Sequence, residues 1–223
     1  MTGADIMNNP RFPEFGIRVG QLLLGLAIAH LGVTLFLLTE LGSDPFNVLI
    51  QGLCRTIDQP LLTHGRIHLL VSLLIVLILL LTDRHYIGVG TLLCMALGGP
   101  IIDVYTTWLS PFIHGNSSLP HRLVLLVLGC IILAFGMTIV IRSEAGTGPN
   151  DLVAVVLSEK LHLAFGLTRV LVDLCFAGIG FLLGGTLGLG TVICAFLVGP
   201  AAQMFMPVSR RLVEYCLKNS VQH

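Results

Sequence analysis

Long apolar runs separated by short polar turns occupy most of the chain, and this pattern predicts an all-helical bundle. The first run covers residues 16–38, more than the roughly 20 residues that a bilayer-spanning helix needs. Further long runs cover residues 67–81, 92–109, 123–141 and 170–183, with a final stretch before residue 208. We expect each of these runs to form a membrane-spanning helix.

Two runs are much shorter, and each follows a glycine-rich turn. The turn Gly42-Ser43-Asp44-Pro45 precedes the apolar residues 46–54, and Gly146-Thr147-Gly148-Pro149 precedes a run that ends before Ser158. Pro fits the first position of a helix, and Gly supplies the unusual backbone dihedrals before it. The turns therefore predict two short helices whose positive N-terminal ends face the space in front of them.

The second half of the chain repeats the pattern of the first. Several residues of the first half are found again, as the same residue type, 104 positions later: Arg18, Gly25, Gly32, Thr34, Glu40, Gly42 and Pro45. At an offset of 100 the recurring residues are Gly88, Gly90, Thr91, Cys94, Leu97, Gly99 and Pro100. We predict two tandem membrane repeats, 16–109 and 122–208, of four helical segments each, one of them short or broken. The remaining parts are a polar N-terminal segment (1–15), an inter-repeat loop (110–121) and a polar cytoplasmic tail (209–223).

The basic residues indicate a topology. If all eight segments cross the membrane, ten basic residues lie on the side of the N terminus and two on the other. If the short segments are re-entrant, the split is nine to three. The eight-span arrangement is preferred by this margin of one residue. With four spans each, the repeats are related by an axis along the membrane normal; with three spans each, they would be inverted. Both termini are expected to be cytoplasmic.

Composition supports a membrane protein and narrows its class. Apolar residues make up 55% of 223, charged residues only 11%, and the mean hydropathy is +0.93. A soluble domain carries roughly 25% charged residues, so the lipid bilayer is an expected partner. The net charge of zero gives no argument for nucleic acid. The six cysteines lie mostly in apolar runs without metal-ligand spacing. No signal-peptide cleavage site precedes the first apolar run, so we expect the first helix to be an uncleaved anchor.

The polar residues of the turns and of the apolar runs are candidates for a substrate site. Asp103 and its counterpart Gln203 lie in apolar segments, where a carboxylate is a functional hypothesis by default, although Asp103 is also near the end of its run. Arg66 and Arg169 begin matching segments; interfacial anchoring is the alternative for both, and Asp173 can pair with Arg169 on one helix face. The candidate substrate-binding residues are Asp44, Pro45, Asn47, Gly148, Pro149, Asn150, Asp151, Asp103, Gln203, Arg66 and Arg169.

Asn47 and Asp151 stand at the third position of the two short helices, but only Asp151 is charged. This asymmetry would let a pseudo-symmetric cavity bind an asymmetric ligand, and Asp151 is expected to matter more. Helix punctuation is the alternative reading of both turns. His30 and His68 have apolar counterparts and are expected to be hydrogen-bond partners between helices. Glu40 and Glu144, just before the two turns, are expected to lie on a solvated loop face.

No nucleophile elbow, phosphate-binding loop, paired metal ligands or zinc spacing occurs in the sequence. We therefore do not expect an enzyme, a catalytic residue, a cofactor or a metal.

The tandem motifs resemble those of the YczE/YyaS/YitT family of bacterial integral membrane proteins. They are Leu41-Gly42-x-x-Pro45-x-Asn47 and Gly88-x-Gly90-Thr91, with the second copies Gly146-x-Gly148-Pro149-x-Asp151, Gly188-x-Gly190-Thr191 and Gly199-Pro200. The family pattern has Gly-x-Gly-Pro-Trp-Asp in the first copy, where this chain has Asp44, Phe46 and Asn47 instead. The resemblance implies a location in the bacterial cytoplasmic membrane. It does not identify a function or a substrate, although the family includes members tied to secondary-metabolite synthesis.

Two functions follow from these features. The first is a transporter or permease for a small molecule, with its site at the interface of the two repeats. The second is a non-transporting scaffold or regulator of a biosynthetic complex, against which the lack of a sizeable cytosolic domain weighs. A homodimer is left open as the partner state.

Overall fold

The computed structural model describes residues 12–57, 59, 61–62, 64–82, 86–113 and 118–221. These residues form eight α-helices and no strand, as the apolar runs predicted. The helices are α1 (Phe12–Leu38), α2 (Pro45–Ile57), α3 (His64–Thr82), α4 (Val89–Ile113), α5 (Leu119–Arg142), α6 (Pro149–Leu161), α7 (Phe165–Leu182) and α8 (Leu189–Val221). All but α2 and α6 are long and apolar enough to span a membrane.

The helices extend beyond the apolar runs at several points. Helix α4 continues through Pro100 in the middle of its apolar run, and α8 continues through Pro200 and Pro207. Apolar helix bundles tolerate interior Pro because neighbouring groups satisfy the freed backbone carbonyls. The expected polar tail after residue 208 is also helical as far as Val221.

The two glycine-rich turns adopt the predicted local structure. Pro45 and Pro149 are the first residues of α2 and α6, where the missing N–H is not needed. Gly42 and Gly146 have φ values of 149° and 123°, which L side chains rarely adopt.

Helices α1 and α5 cross at two pairs of glycines and run antiparallel. A Cβ placed on Gly25 would lie 3.0 Å from the carbonyl oxygen of Gly136, and one on Gly136 would lie 2.7 Å from that of Gly25. The pair Gly32 and Gly129 gives 2.5 and 2.8 Å in the same reciprocal way. Because the earlier residue of α1 meets the later residue of α5, the two helices point in opposite directions.

The first and last turns of α2 both contact one end of the bundle. Just before α2, the carbonyl oxygen of Ser43 accepts a hydrogen bond of 2.5 Å from the Thr191 hydroxyl in the first turn of α8. In its last turn, the Thr56 hydroxyl donates to the Leu183 carbonyl just after α7, at 3.2 Å. Both ends of α2 therefore lie at the α7–α8 connection.

Helix α6 has the matching arrangement at the other end of the bundle. Gly146, before α6, packs against the first turn of α4 at Thr91, and Glu159 of its last turn accepts a hydrogen bond of 2.7 Å from the Tyr86 hydroxyl, just before α4. With 13 residues each, α2 and α6 are about 20 Å long, less than the roughly 30 Å hydrocarbon core.

These contacts correct the eight-span arrangement. If α1 and α5 both span the membrane in opposite directions, an even number of crossings must separate them, which α3 and α4 supply without α2. The charge count could not reveal this, because it favoured eight spans by one residue. Six spans are the arrangement that fits the antiparallel crossing and the short helices.

Reciprocal polar contacts join the two halves of the chain. Arg18 pairs with Glu144 at 2.5 Å and also donates to the Ser143 carbonyl. At the opposite end, Arg122 lies 3.8 Å from Glu40 and donates a hydrogen bond to the carbonyl of Thr39, the residue before Glu40. The start of each of these two helices is thus tied to the end of the other.

The packing of the halves differs. The largest buried cluster joins Phe36 of α1 to residues of α5, α6, α7 and α8, with Leu126, Met137 and Val198 at its centre. Helix α7 packs along α8, whereas α3 and α4 share no comparable contact, and much of α3 is exposed. The second half therefore forms the more closely packed part of the bundle.

Candidate functional site

Three charged side chains form a buried cluster at the start of α7. The Arg169 guanidinium donates through Nη1 to Asp151 Oδ1 at 2.5 Å and through Nε to Asp173 Oδ2 at 3.0 Å. The side chains of Arg169 and Asp173 are only 8% and 1% exposed, and that of Asp151 is 19% exposed. Desolvating such groups is expensive, and the geometry of an arginine between two carboxylates offsets part of that penalty.

Local structure explains how the three residues meet. Asp151 stands in the first turn of α6, where the helix dipole favours a carboxylate. Arg169 and Asp173 lie one turn apart on the same face of α7, which packs against α6. The hairpin of α6 and α7 therefore brings Asp151 to a guanidinium that is already held by Asp173.

The carboxylates of the two glycine-rich turns act on the same buried residue. Both Asp151 and Asp44 interact electrostatically with Asp173. His68 lies within electrostatic range of Asp44, and His30 within electrostatic range of Asp151. Three carboxylates and one guanidinium thus share the region between the two short helices. In the part of the chain that is described, no three His, Cys, Asp or Glu side chains are close enough to hold a metal ion.

The first turn has its own hydrogen-bond network. Asp44 caps α2: its Oδ1 accepts from the Asn47 backbone N–H at 3.1 Å, and its Oδ2 accepts from the Asn47 side-chain amide at 2.5 Å. The amide oxygen of Asn47 lies 3.1 Å from Nε2 of His64. Asn47 is therefore held between a cap and a histidine, whereas its counterpart Asp151 holds an arginine.

The remaining candidates divide into those near the cluster and those away from it. The side-chain oxygens of Asn150 and Asp151 turn back toward Gly148, at 3.2 and 3.8 Å from where its Cβ would lie. Gln203 lies beside the start of α7, where its Oε1 accepts from the Gly166 N–H at 2.9 Å. Pro45 and Pro149 are buried at the starts of the short helices.

Two candidates lie apart from the cluster. Asp103 is on an exposed part of α4, where its backbone carbonyl accepts from the Thr107 hydroxyl. Arg66 is also exposed and donates to the Leu61 carbonyl at 2.5 Å. The structure thus separates the two arginines that the sequence matched: Arg169 is buried in an ion cluster, and Arg66 lies on the surface.

Sequence reasoning found the members of the cluster but missed the contact of Asp151 with Arg169. The four-residue spacing of Arg169 and Asp173 indicated a pair, whereas Asp151 lies 18 residues from Arg169 on another helix, with no periodic signal. It also missed the interhelical ion pairs of Arg18 and Arg122, although the recurrence of both arginines together with Glu40 and Glu144 was such a signal.

With this geometry established, comparisons with known proteins place the chain in a family. A family model described as a family of unknown function (DUF6198) matches residues 16–207. The chain belongs to this family. An uncharacterized protein of Haemophilus influenzae is 30% identical to it, over 87% of this chain and 85% of that protein. Both counterparts in Bacillus subtilis are 26% identical: the uncharacterized protein YyaS, over 84% of this chain and 92% of its own length, and the uncharacterized membrane protein YczE, over 92% of each.

No solved structure matches the chain. The comparisons confirm the resemblance to YczE and YyaS that the glycine motifs indicated. Together with the six apolar helices, they identify this member of the DUF6198 family as a polytopic membrane protein of unknown function.

Proposed function

We propose that this DUF6198 protein is a permease for a small molecule, with its binding site between the two short helices. The observation that carries the proposal is the buried cluster of Asp151, Arg169 and Asp173, which lies against the N-terminal end of α6. Ionisable groups within a membrane are expensive and rarely serve packing alone. Interrupted helices in corresponding positions are the sequence feature that best indicates a transporter site.

The architecture supports the same proposal. In our interpretation the halves are inverted repeats of three spans and one half-helix each, related by an axis in the membrane plane. The reciprocal glycine crossing of α1 and α5 and the exchanged ion pairs of Arg18 and Arg122 support this relation. An inverted pair can rock about a central site and open it to either side.

We further propose that both termini lie in the cytoplasm of a bacterial cell. With six spans, nine basic residues fall on the side of the termini and three on the other side, which agrees with the positive-inside rule. The bacterial relatives support the cytoplasmic membrane as the location.

The test is metabolite accumulation in membrane vesicles that contain the protein, compared with vesicles that lack it. Both are incubated with a cell extract, and their contents are profiled by mass spectrometry. We expect at least one compound to accumulate only with the protein. The variant Asp151→Asn should lower that accumulation roughly tenfold or more, about 1.4 kcal/mol, while the protein stays folded because the Asn oxygen still accepts from Arg169.

Asp103→Asn is the matched control, because it removes a carboxylate that is exposed on α4 and should leave accumulation unchanged. If no compound distinguishes the vesicles, the permease proposal is wrong and a scaffold or regulator of a biosynthetic complex becomes the better reading. If Asp151→Asn transports as well as the unmodified protein, the carboxylate has no part in transport and both turns are structural helix starts.

A further inference from the structure

A cavity lies at the end of the bundle where α1 begins and α8 ends. It has a volume of about 430 Å³ and lies between the start of α1, the end of α5 and the last turns of α8. Three arginines and two glutamates line it, Arg18, Arg142, Arg210, Glu144 and Glu214, together with two aliphatic residues. The lining therefore carries one positive charge in excess.

Arg142 provides that excess charge, and part of its side chain has no protein partner. Arg18 is paired with Glu144 at 2.5 Å, and Arg210 with Glu214 at 2.8 Å. The Nε atom of Arg142 is buried and makes no hydrogen bond in the structure. A buried donor without an acceptor is rare, because burial removes its hydrogen bond to water and gives none in return. This atom is closed to water, so a ligand in the cavity reaches it only when the Arg142 side chain shifts toward the cavity that it lines.

The opposite end of the bundle has no arginine at the position that corresponds to Arg142. There, Arg122 and Glu40 reproduce the pairing of Arg18 with Glu144. At the offset that relates these pairs, the position of Arg142 is taken by Leu38, which is buried. Both ends therefore have the ion pair between helix start and helix end, but the position of Arg142 is basic at one end and apolar at the other.

The existing ion pairs leave room for exchange with a ligand. Glu144 and Glu214 are 71% and 51% exposed, and exposed ion pairs contribute little to stability. Glu144 can turn toward water while Arg18 binds a stronger anion. Guanidinium groups bind phosphate through two parallel hydrogen bonds, so three converging arginines favour a phosphate over a point anion such as chloride.

We propose that this cavity binds a phosphate-type anion at the membrane–water boundary, held by Arg142 with Arg18 and Arg210 beside it. Two sources supply this chemistry: the phosphodiester of an anionic lipid headgroup and a free phosphate in solution. Basic pockets between membrane helices on the cytoplasmic side are suited to such headgroups. The proposal does not depend on transport through the central cluster.

The test measures the thermal stability of the purified full-length protein in detergent with each source. One arm adds phosphatidylglycerol or, as its neutral reference, phosphatidylcholine; the other adds inorganic phosphate or chloride at the same ionic strength. We expect phosphatidylglycerol or phosphate to raise the melting temperature, and the arm that responds identifies the source. Native mass spectrometry then counts the bound lipid or phosphate.

Two variants remove one charge each from the lining, Arg142→Gln and Arg210→Gln, and Arg211→Gln removes a neighbouring charge outside it. We expect Arg142→Gln to raise about tenfold or more the ligand concentration that gives half of the melting-temperature increase, because hydrogen bonds to charged groups are the stronger ones. Arg211→Gln should respond like the unmodified protein. If Arg142→Gln does not fold, Arg210→Gln carries the test with the same expected direction.

Two results would overturn the proposal. The first is a protein whose stability neither phosphatidylglycerol nor phosphate changes. The second is an equal loss of response in Arg211→Gln and in the lining variants, which would mean that the anion is attracted by the overall positive charge of this end and not bound in the cavity.

Discussion

Replacing Arg169 by Gln tests whether the buried ion cluster holds α6 and α7 together. The substitution leaves Asp173, which is 1% exposed, and Asp151 without their shared counter-charge. At an effective dielectric constant of about 20, a charge contact of roughly 3 Å corresponds to ~5 kcal/mol of Coulomb attraction before desolvation is counted. Removing one partner of a buried ion pair typically destabilises a protein by about 3–5 kcal/mol. We expect Arg169→Gln to fall in that range.

The assay is thermal unfolding of the purified protein in detergent. For a chain of this length, 1 kcal/mol shifts the melting temperature by roughly 2–4 °C, so the expected loss is on the order of 10 °C. Arg66→Gln is the control, since Arg66 is the arginine that the sequence matches to Arg169 and it is exposed. We expect its loss to be about 1 kcal/mol or less.

A second substitution makes the test specific to charge. In the double variant Arg169→Gln/Asp173→Asn, one of the two uncompensated carboxylates is gone, so we expect more than half of the lost stability to return. The coupling between the two substitutions should then be about 2 kcal/mol or more. Equal melting temperatures of Arg169→Gln and Arg66→Gln, or additive losses in the double variant, would refute the reasoning that the cluster is electrostatically interdependent.

Two further predictions concern the fold. In a variant without native cysteines, single cysteines at Gln59 and Ser118 should label from outside the cell and one at His162 only from the cytoplasm; labelling of all three from the cytoplasm would restore the eight-span arrangement. The second prediction is that Gly32→Ala destabilises the protein by about 1–3 kcal/mol, because its Cβ would lie 2.5 Å from a carbonyl oxygen of α5. Gly99→Ala, whose Cβ meets nothing within 4 Å, should be neutral or slightly stabilising in thermal unfolding; similar losses in both would mean that the α1–α5 crossing is not close-packed.

Local features of this protein were readable from its sequence, because the residues that decide them are neighbours in the chain. The apolar runs predicted eight helices, and the turns before Pro45 and Pro149 predicted where the two short ones begin. Pro fixes its own backbone and Gly42 and Gly146 permit dihedrals that other residues avoid, so these signals needed no tertiary contact. The pairing of Arg169 with Asp173 was readable for the same reason, since one helical turn separates them.

Only the tertiary structure decided three other features. They are the direction of α5 relative to α1, the return of α2 and α6 to the end of the bundle where each begins, and the approach of Asp151 to Arg169. Each depends on which helices pack together, and the charge balance that might have decided the topology differed between the alternatives by a single residue. The cavity at Arg142 was likewise hidden, because a basic residue in the last turn of a helix is ordinary in sequence. Only the tertiary structure brings three helix ends together around the cavity that Arg142 lines.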